Sequence, residues 1–185
     1  MKQAYIKYLL ALLLFGSNGV VASYISLTSY EIVFLRSLIG SILLISLFKL
    51  ADNKLDLTKN KRHLLYLIIS GVAMGVSWIF LYEAYQQIGV SIASLAYYCG
   101  PVIVMLLSPL LFNERFTLPK VGGFVAVLCG ILLINTQAIH DGKTPWGLFC
   151  GVMSAIMYAF MVIFNKKAYS ITGMKNAMLQ LITSF

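Results

Sequence analysis

The chain has 185 residues, 60% of them hydrophobic and 11% charged, with a mean hydropathy of +0.88. Water-soluble domains carry roughly a quarter charged residues and cannot hide this much apolar surface, so a soluble globular fold is excluded. The formal charge of +8 does not mark a nucleic-acid binder, because nearly all the basic side chains fall in alternate connections between apolar runs.

A helix needs about 20 mostly apolar residues to cross a bilayer. Runs of that kind predict spans over Tyr5–Ile25, Ser29–Phe48, Leu64–Tyr85, Ser91–Phe112, Leu118–Gln137 and Trp146–Asn165. The first run has the basic start of a signal peptide, but five more runs follow it, so an uncleaved first span is expected. The last stretch, KNAMLQLITSF, opens a seventh run and stops at Phe185, so a chain cut short within that span is expected. The fold class is an all-α integral membrane protein, a multispan helical bundle.

Basic residues mark every second connection. Lys2 and Lys7 precede the first run; Lys49, Lys54, Lys59, Lys61 and Arg62 fill the connection after span two; Arg115 and Lys120 follow span four; Lys166, Lys167 and Lys175 follow span six. Only Lys143 departs from the pattern. The positive-inside rule then places the amino terminus in the cytoplasm, with odd spans running outward and even spans inward across the cell membrane. Connections as short as Gln86–Val90 require antiparallel neighbours. Gly71 with Gly75, Gly147 with Gly151, and Gly122 with Ala126 and Gly130 have the small-residue spacing of close helix contacts, read as packing within the bundle. Cys99, Cys129 and Cys150 lie inside apolar runs, so they read as packing residues, and no disulfide, metal or cofactor set is expected.

Span four, SIASLAYYCGPVIVMLLSPLLF, carries two prolines. A proline removes a backbone donor and clashes with the preceding turn, a cost that neighbouring helices and hydroxyl side chains offset in a membrane bundle. Gly100 directly before Pro101 favours a bend there, and broken spans are how transporters line a cavity. Charged groups at membrane depth are costly and are default functional candidates. Arg36 lies roughly 10 Å into span two by helical rise, and Glu31 and Glu83 lie near the same outer level. Glu31 and Arg36 are about 140° apart around the helix, so Glu83 is the expected partner of Arg36 in an outward vestibule. The other candidates for a substrate pathway are Asn18, Trp78, Tyr97, Tyr98 and Pro101, which offer hydrogen bonds, aromatic walls and a kink. Glu114 and Arg115, at the cytoplasmic end of span four, are candidates for a gate salt bridge.

The order of these features resembles the EamA-type transporters of the drug/metabolite transporter superfamily. LYEAYQQIGVSIASLAYYCGPVIVMLLSPLLFNERFTLPKVGGFVAVLCGILLIN is similar to the closing part of the family's first repeat. It has an Ala-rich opening of span four, then Pro101, Glu114 near the cytoplasmic end, and a Gly-rich fifth span. LLLFGSNGVVASYI and EIVFLRSLIG, with Arg36, resemble the first two spans. Phe15 replaces a common Trp, and Asn113 replaces the Gly that usually precedes the Glu. The resemblance implies a first five-span repeat at residues 5–137, and the start of an inverted second repeat at 146–185. IMYAFMVIFNKKA in span six resembles LLFGSNGVVASYI in span one, as inversion requires.

The expected function is therefore a secondary-active transporter, by preference an exporter, that moves a small metabolite such as an amino acid or drug-like solute by alternating access. Its partners are the lipid bilayer, a small-molecule solute, a coupling proton or ion with Glu83 as candidate acid, and a missing or separate second half. Nucleic acid is not expected. No GxxxxGK[ST] phosphate loop is present. An intramembrane enzyme would need grouped acids, or a His with a nucleophile, at membrane depth, whereas His63, His140 and the aspartates fall in connections. The remaining alternative is a half-length subunit that does not transport without a partner half.

Overall fold

The computed structural model describes residues 2–50, 61–113, 117, 121–123, 125–126, 129 and 145–184. Its helices are α1 (Lys2–Ser23), α2 (Ser29–Leu50), α3 (Lys61–Tyr97), α4 (Cys99–Phe112), α5 (Pro145–Lys167) and α6 (Met174–Ile182). Three described stretches are long and apolar enough to cross a membrane: Ser29–Leu50, Lys61–Phe112 and Pro145–Lys167. These are the core of an all-α membrane protein. The few residues described within the predicted fifth span, 121–123, 125–126 and 129, are helical.

Lys61–Phe112 is 52 residues long, far more than one crossing needs. The chain turns at Gly89, whose φ of 78° and ψ of 158° leave helical space. Contacts with α5 give the direction of each arm. Ser70 and Ser77 donate to the carbonyls of Met161 (2.7 Å) and Ser154 (2.8 Å), so residues 61–88 run antiparallel to α5. Gly151 faces Ala96, and the Lys166 ammonium lies 4.2 Å from the Phe112 ring centroid, so residues 90–112 run parallel to α5. The two arms therefore form a hairpin with α5 against both, and the turn falls inside the predicted connection Gln86–Val90.

The second arm divides at Tyr98. Pro101 has no N–H to give the Tyr97 carbonyl, and the helix resumes as α4 at Cys99. The helix is thus interrupted one turn ahead of the proline. Gly100 lets α4 close on α5, because a Cβ there would stand 2.6 Å from the Tyr158 ring. α4 ends at Asn113, which adopts φ 56°, ψ 29° and donates its backbone N–H to the Pro109 carbonyl at 3.1 Å. Asn tolerates this left-handed cap, and glycine favours it. Asn113→Gly is expected to leave thermal stability in detergent unchanged or higher. Asn113→Val is expected to cost about 1 kcal/mol.

α6 lies between α2 and the first arm of α3. Gln180 donates to Ser70 Oγ at 2.7 Å, Ser184 Oγ lies 3.3 Å from Ser37 Oγ, and Leu181 sits against Gly40. Hydroxyls line these interfaces: Ser37, Ser70, Ser77 and Ser154 are buried, while Leu13, Leu14, Ile39, Leu43 and Leu110 are exposed. Small polar groups inside and aliphatic groups outside are what a lipid solvent selects. Cys150 packs in the buried cluster of Ala84, Ile88, Ile92 and Ala93, the packing role read from its apolar surroundings.

The helix directions sort the charges. Lys49, Lys61, Arg62, Lys166, Lys167 and Lys175 fall at the end of the bundle opposite the Gly89 turn. Glu31 and Glu83, the two described acids, fall at the turn end. His63 is buried in the first turn of α3, where its Nδ1 accepts from the Ser170 backbone N–H (3.3 Å) and meets the Ser170 hydroxyl. It ties the start of α3 to the α5–α6 connection at the basic end.

Candidate functional site

A cavity of about 80 Å³ lies between α1, α2 and the two arms of the hairpin, near the turn end. Trp78 and Tyr98 both line it although they stand twenty positions apart. A straight helix would hold them about 30 Å apart, so the Gly89 turn creates the site.

The floor and walls follow from helical periodicity. Trp78, Leu81 and Tyr85 project from one face of the first arm, and Ser94, Tyr97 and Tyr98 from one face of the second. Gly16, Gly19 and Val20 of α1 and Val90 complete the lining with Arg36. Gly19 is needed for the close approach of α1, since a Cβ there would stand 2.7 Å from Val90.

Arg36 is the charged residue of this wall. Its guanidinium stacks over Trp78 at 4.0 Å from the ring centroid and donates from Nη1 to the Tyr82 hydroxyl at 2.7 Å. Tyr82 meets Tyr85 edge to face at 5.6 Å. Ser94 Oγ donates to the Tyr85 hydroxyl at 3.4 Å, and Tyr97 packs edge-on against Tyr158 of α5 at 5.1 Å. Cation–π and aromatic contacts of this kind fix the guanidinium without neutralising it.

The expected Arg36–Glu83 pair does not form. Glu83 accepts from Ser29 Oγ at 2.8 Å, from Gln87 Nε2 at 3.2 Å and from Trp146 Nε1 at 3.4 Å. It clasps the ends of α2, α3 and α5 outside the cavity lining. Glu31 caps its own helix, accepting from the Thr28 N–H and hydroxyl at 2.9 and 2.8 Å. The physical reason is local supply: Glu83 lies at the helix ends, where neutral donors surround it, whereas Arg36 lies deeper, beside the Trp78 face.

The structure thus brings Arg36, Trp78, Tyr97 and Tyr98 together in one cavity. Pro101 is exposed and outside the lining, acting through the break it imposes at Tyr98. Asn18 lies in α1 between the lining residues Gly16 and Gly19, but its side chain is outside the described residues, as are Glu114 and Arg115. Tyr82, Tyr85 and Ser94 were not singled out from sequence. Their signal was present, since Trp78, Tyr82 and Tyr85 have the i, i+4, i+7 spacing of one helix face. Among the described residues no three His, Cys, Asp or Glu side chains group as metal ligands.

Residues 2–136 match the EamA-like transporter family. An uncharacterized transporter of Bacillus subtilis (strain 168), YxxF, is 27% identical over 181 residues, covering 96% of this chain and 58% of that protein. An uncharacterized transporter of Helicobacter pylori (strain ATCC 700392 / 26695) is 26% identical over 153 residues, covering 78% of this chain and 50% of its own. A second Bacillus subtilis (strain 168) protein, the uncharacterized transporter YoaV, is 27% identical over 135 residues, covering 71% and 46%. The chain therefore spans about half the length of the curated relatives it matches. No solved structure gives a significant match. With the family match covering most of the chain and its apolar helices arranged as a bundle, this protein belongs to the EamA-like transporter family.

Proposed function

We propose that the chain supplies the solute-lining repeat of a secondary-active transporter, which exports a small metabolite such as an amino acid or drug-like solute by alternating access. The observation that carries this reading is the cavity: two helices and a glycine-turned hairpin hold one cation and four aromatic rings around about 80 Å³ of space. Packed helices seldom leave such a space unless something occupies it. The first repeat is assigned to residues 5–137 and the start of an inverted second repeat to 146–185. The basic end of the bundle is assigned to the cytoplasm of a cell-membrane protein by the positive-inside rule, which assigns the cavity to the outer half.

A second reading, a half that transports only with a partner half, draws support from relatives of which this chain matches only 50% and 46% of the length. Counterflow of radiolabelled solutes into liposomes containing the purified protein separates the two. Saturable counterflow by the protein alone supports a self-sufficient transporter. Flux that appears only on co-reconstitution with a second protein supports the subunit reading, and no flux under either condition rejects transport.

Glu83 is proposed as the coupling acid, because its carboxylate joins three helix ends beside the cavity. Glu83→Gln is expected to abolish the acceleration of uptake by an imposed pH gradient while counterflow persists. Undiminished gradient-driven uptake in that variant would remove Glu83 from the coupling role.

A further inference from the structure

We propose that the cavity recognises organic monoanions, with Arg36 binding a carboxylate and the aromatic wall receiving an apolar body. The inference rests on the reading of this cavity as the solute site and narrows its solutes to carboxylates without an ammonium group, ahead of zwitterionic amino acids.

The electrostatics of the wall favour an anion. Arg36 is the charged residue in the lining, and the two described acids are committed elsewhere, Glu31 to Thr28 and Glu83 to Ser29, Gln87 and Trp146. A guanidinium keeps its charge at any physiological pH. In a site walled by rings and helix backbones, solvent screens that charge weakly, so a cationic solute is repelled and an anion is drawn in.

The geometry favours a carboxylate. A guanidinium offers five N–H donors in a plane, and Tyr82 takes a bond from Nη1. The guanidinium carbon lies over the Trp78 ring, 4.0 Å from its centroid. A guanidinium held between a ring contact and a hydrogen bond is restrained in position, and its fork matches the two oxygens of a carboxylate. One positive charge balances one negative charge, so a phosphate dianion would remain undercompensated. The ammonium group of a zwitterion would find no carboxylate among the described lining residues.

The remaining lining suits a short apolar body. Trp78, Tyr85, Tyr97 and Tyr98 present ring surface, with the Ser94 and Tyr85 hydroxyls already linked to one another. At about 10–15 Å³ per water on the scale used for buried water, a cavity of about 80 Å³ holds about five to eight molecules. Displacing them leaves room for an aromatic acid as small as benzoate.

The test is equilibrium binding of radiolabelled benzoate to the purified protein in detergent micelles, with unlabelled competitors of matched shape. Benzoate is expected to bind saturably, and benzamide, benzylamine and phenylalanine to compete about tenfold or more weakly. Arg36→Gln is expected to abolish binding. Arg36→Lys is expected to retain it about tenfold weaker, because the charge survives without the fork. Absence of saturable benzoate binding, or competition by benzylamine equal to that by benzoate, overturns the proposal on the unaltered protein. A shared failure of both variants would not be ambiguous, because the competitor series needs neither. Benzoate binding without solute flux in liposomes, either alone or with a co-reconstituted second protein, rejects the transport reading and leaves this inference standing. Flux of solutes that do not compete with benzoate rejects this inference and leaves the transport reading standing.

Discussion

Gly75→Val is expected to uncouple α6 from the rest of the bundle and to lower stability by about 3 kcal/mol, the upper part of the range for overpacking a filled interface. A Cβ at Gly75 would overlap the Ser184 carbonyl oxygen, and at Gly71 it would overlap the Thr183 hydroxyl and the Gln180 carbonyl. Backbone atoms cannot swing aside as a flexible side chain can, so the only relief is retreat of the helix. Retreat removes the Gln180–Ser70 bond and separates Ser184 from Ser37. The readout is twofold: thermal unfolding in detergent, and oxidative cross-linking of a Ser37→Cys, Ser184→Cys pair, which forms in the parent and fails beside Gly75→Val. Gly122→Ala is the control, because nothing among the described residues lies within 4 Å of a Cβ there. An undiminished cross-link in Gly75→Val would show that the groove does not hold α6.

The GxxxG spacing of Gly71 and Gly75 is visible in the sequence as a small-residue contact, but its partner is not. Spacing fixes which face of a helix is narrow; the element that fills it depends on how every helix is rotated. The same limit explains Arg36. Its depth follows from counting residues along span two, and its place in a vestibule follows from depth. Its partner was misassigned, because counting cannot show that Ser29, Gln87 and Trp146 converge on Glu83 from three helices. The apolar runs, the tight third-to-fourth connection and the break near Pro101 were legible, since each is a local property of composition or backbone chemistry. The buried hydroxyl network of Ser37, Ser70, Ser77 and Ser154 was not. Ser is common in apolar helices, and only packing shows whether its hydroxyl faces a neighbour or its own carbonyl ladder.

Gly89→Ala is the sharpest test of how the site is made. Its backbone, at φ 78° and ψ 158°, lies in a region open essentially to glycine alone, and nothing among the described residues lies within 4 Å of a Cβ built there. The cost of alanine is therefore backbone strain of about 1–3 kcal/mol with no steric part. Gly100→Ala is opposite in origin: its Cβ would meet the Tyr158 ring at 2.6 Å and the Ala155 carbonyl at 3.1 Å. The two causes predict different rescues. Truncating the ring with Tyr158→Ala is expected to recover part of the stability lost in Gly100→Ala and none of that lost in Gly89→Ala. Strain released by opening the hairpin would move Trp78 away from Tyr98, so Gly89→Ala is expected to weaken benzoate binding even at temperatures where the helices persist by circular dichroism. If Gly89→Ala binds and melts as the parent does, the turn is not what holds the two aromatic walls of the cavity together.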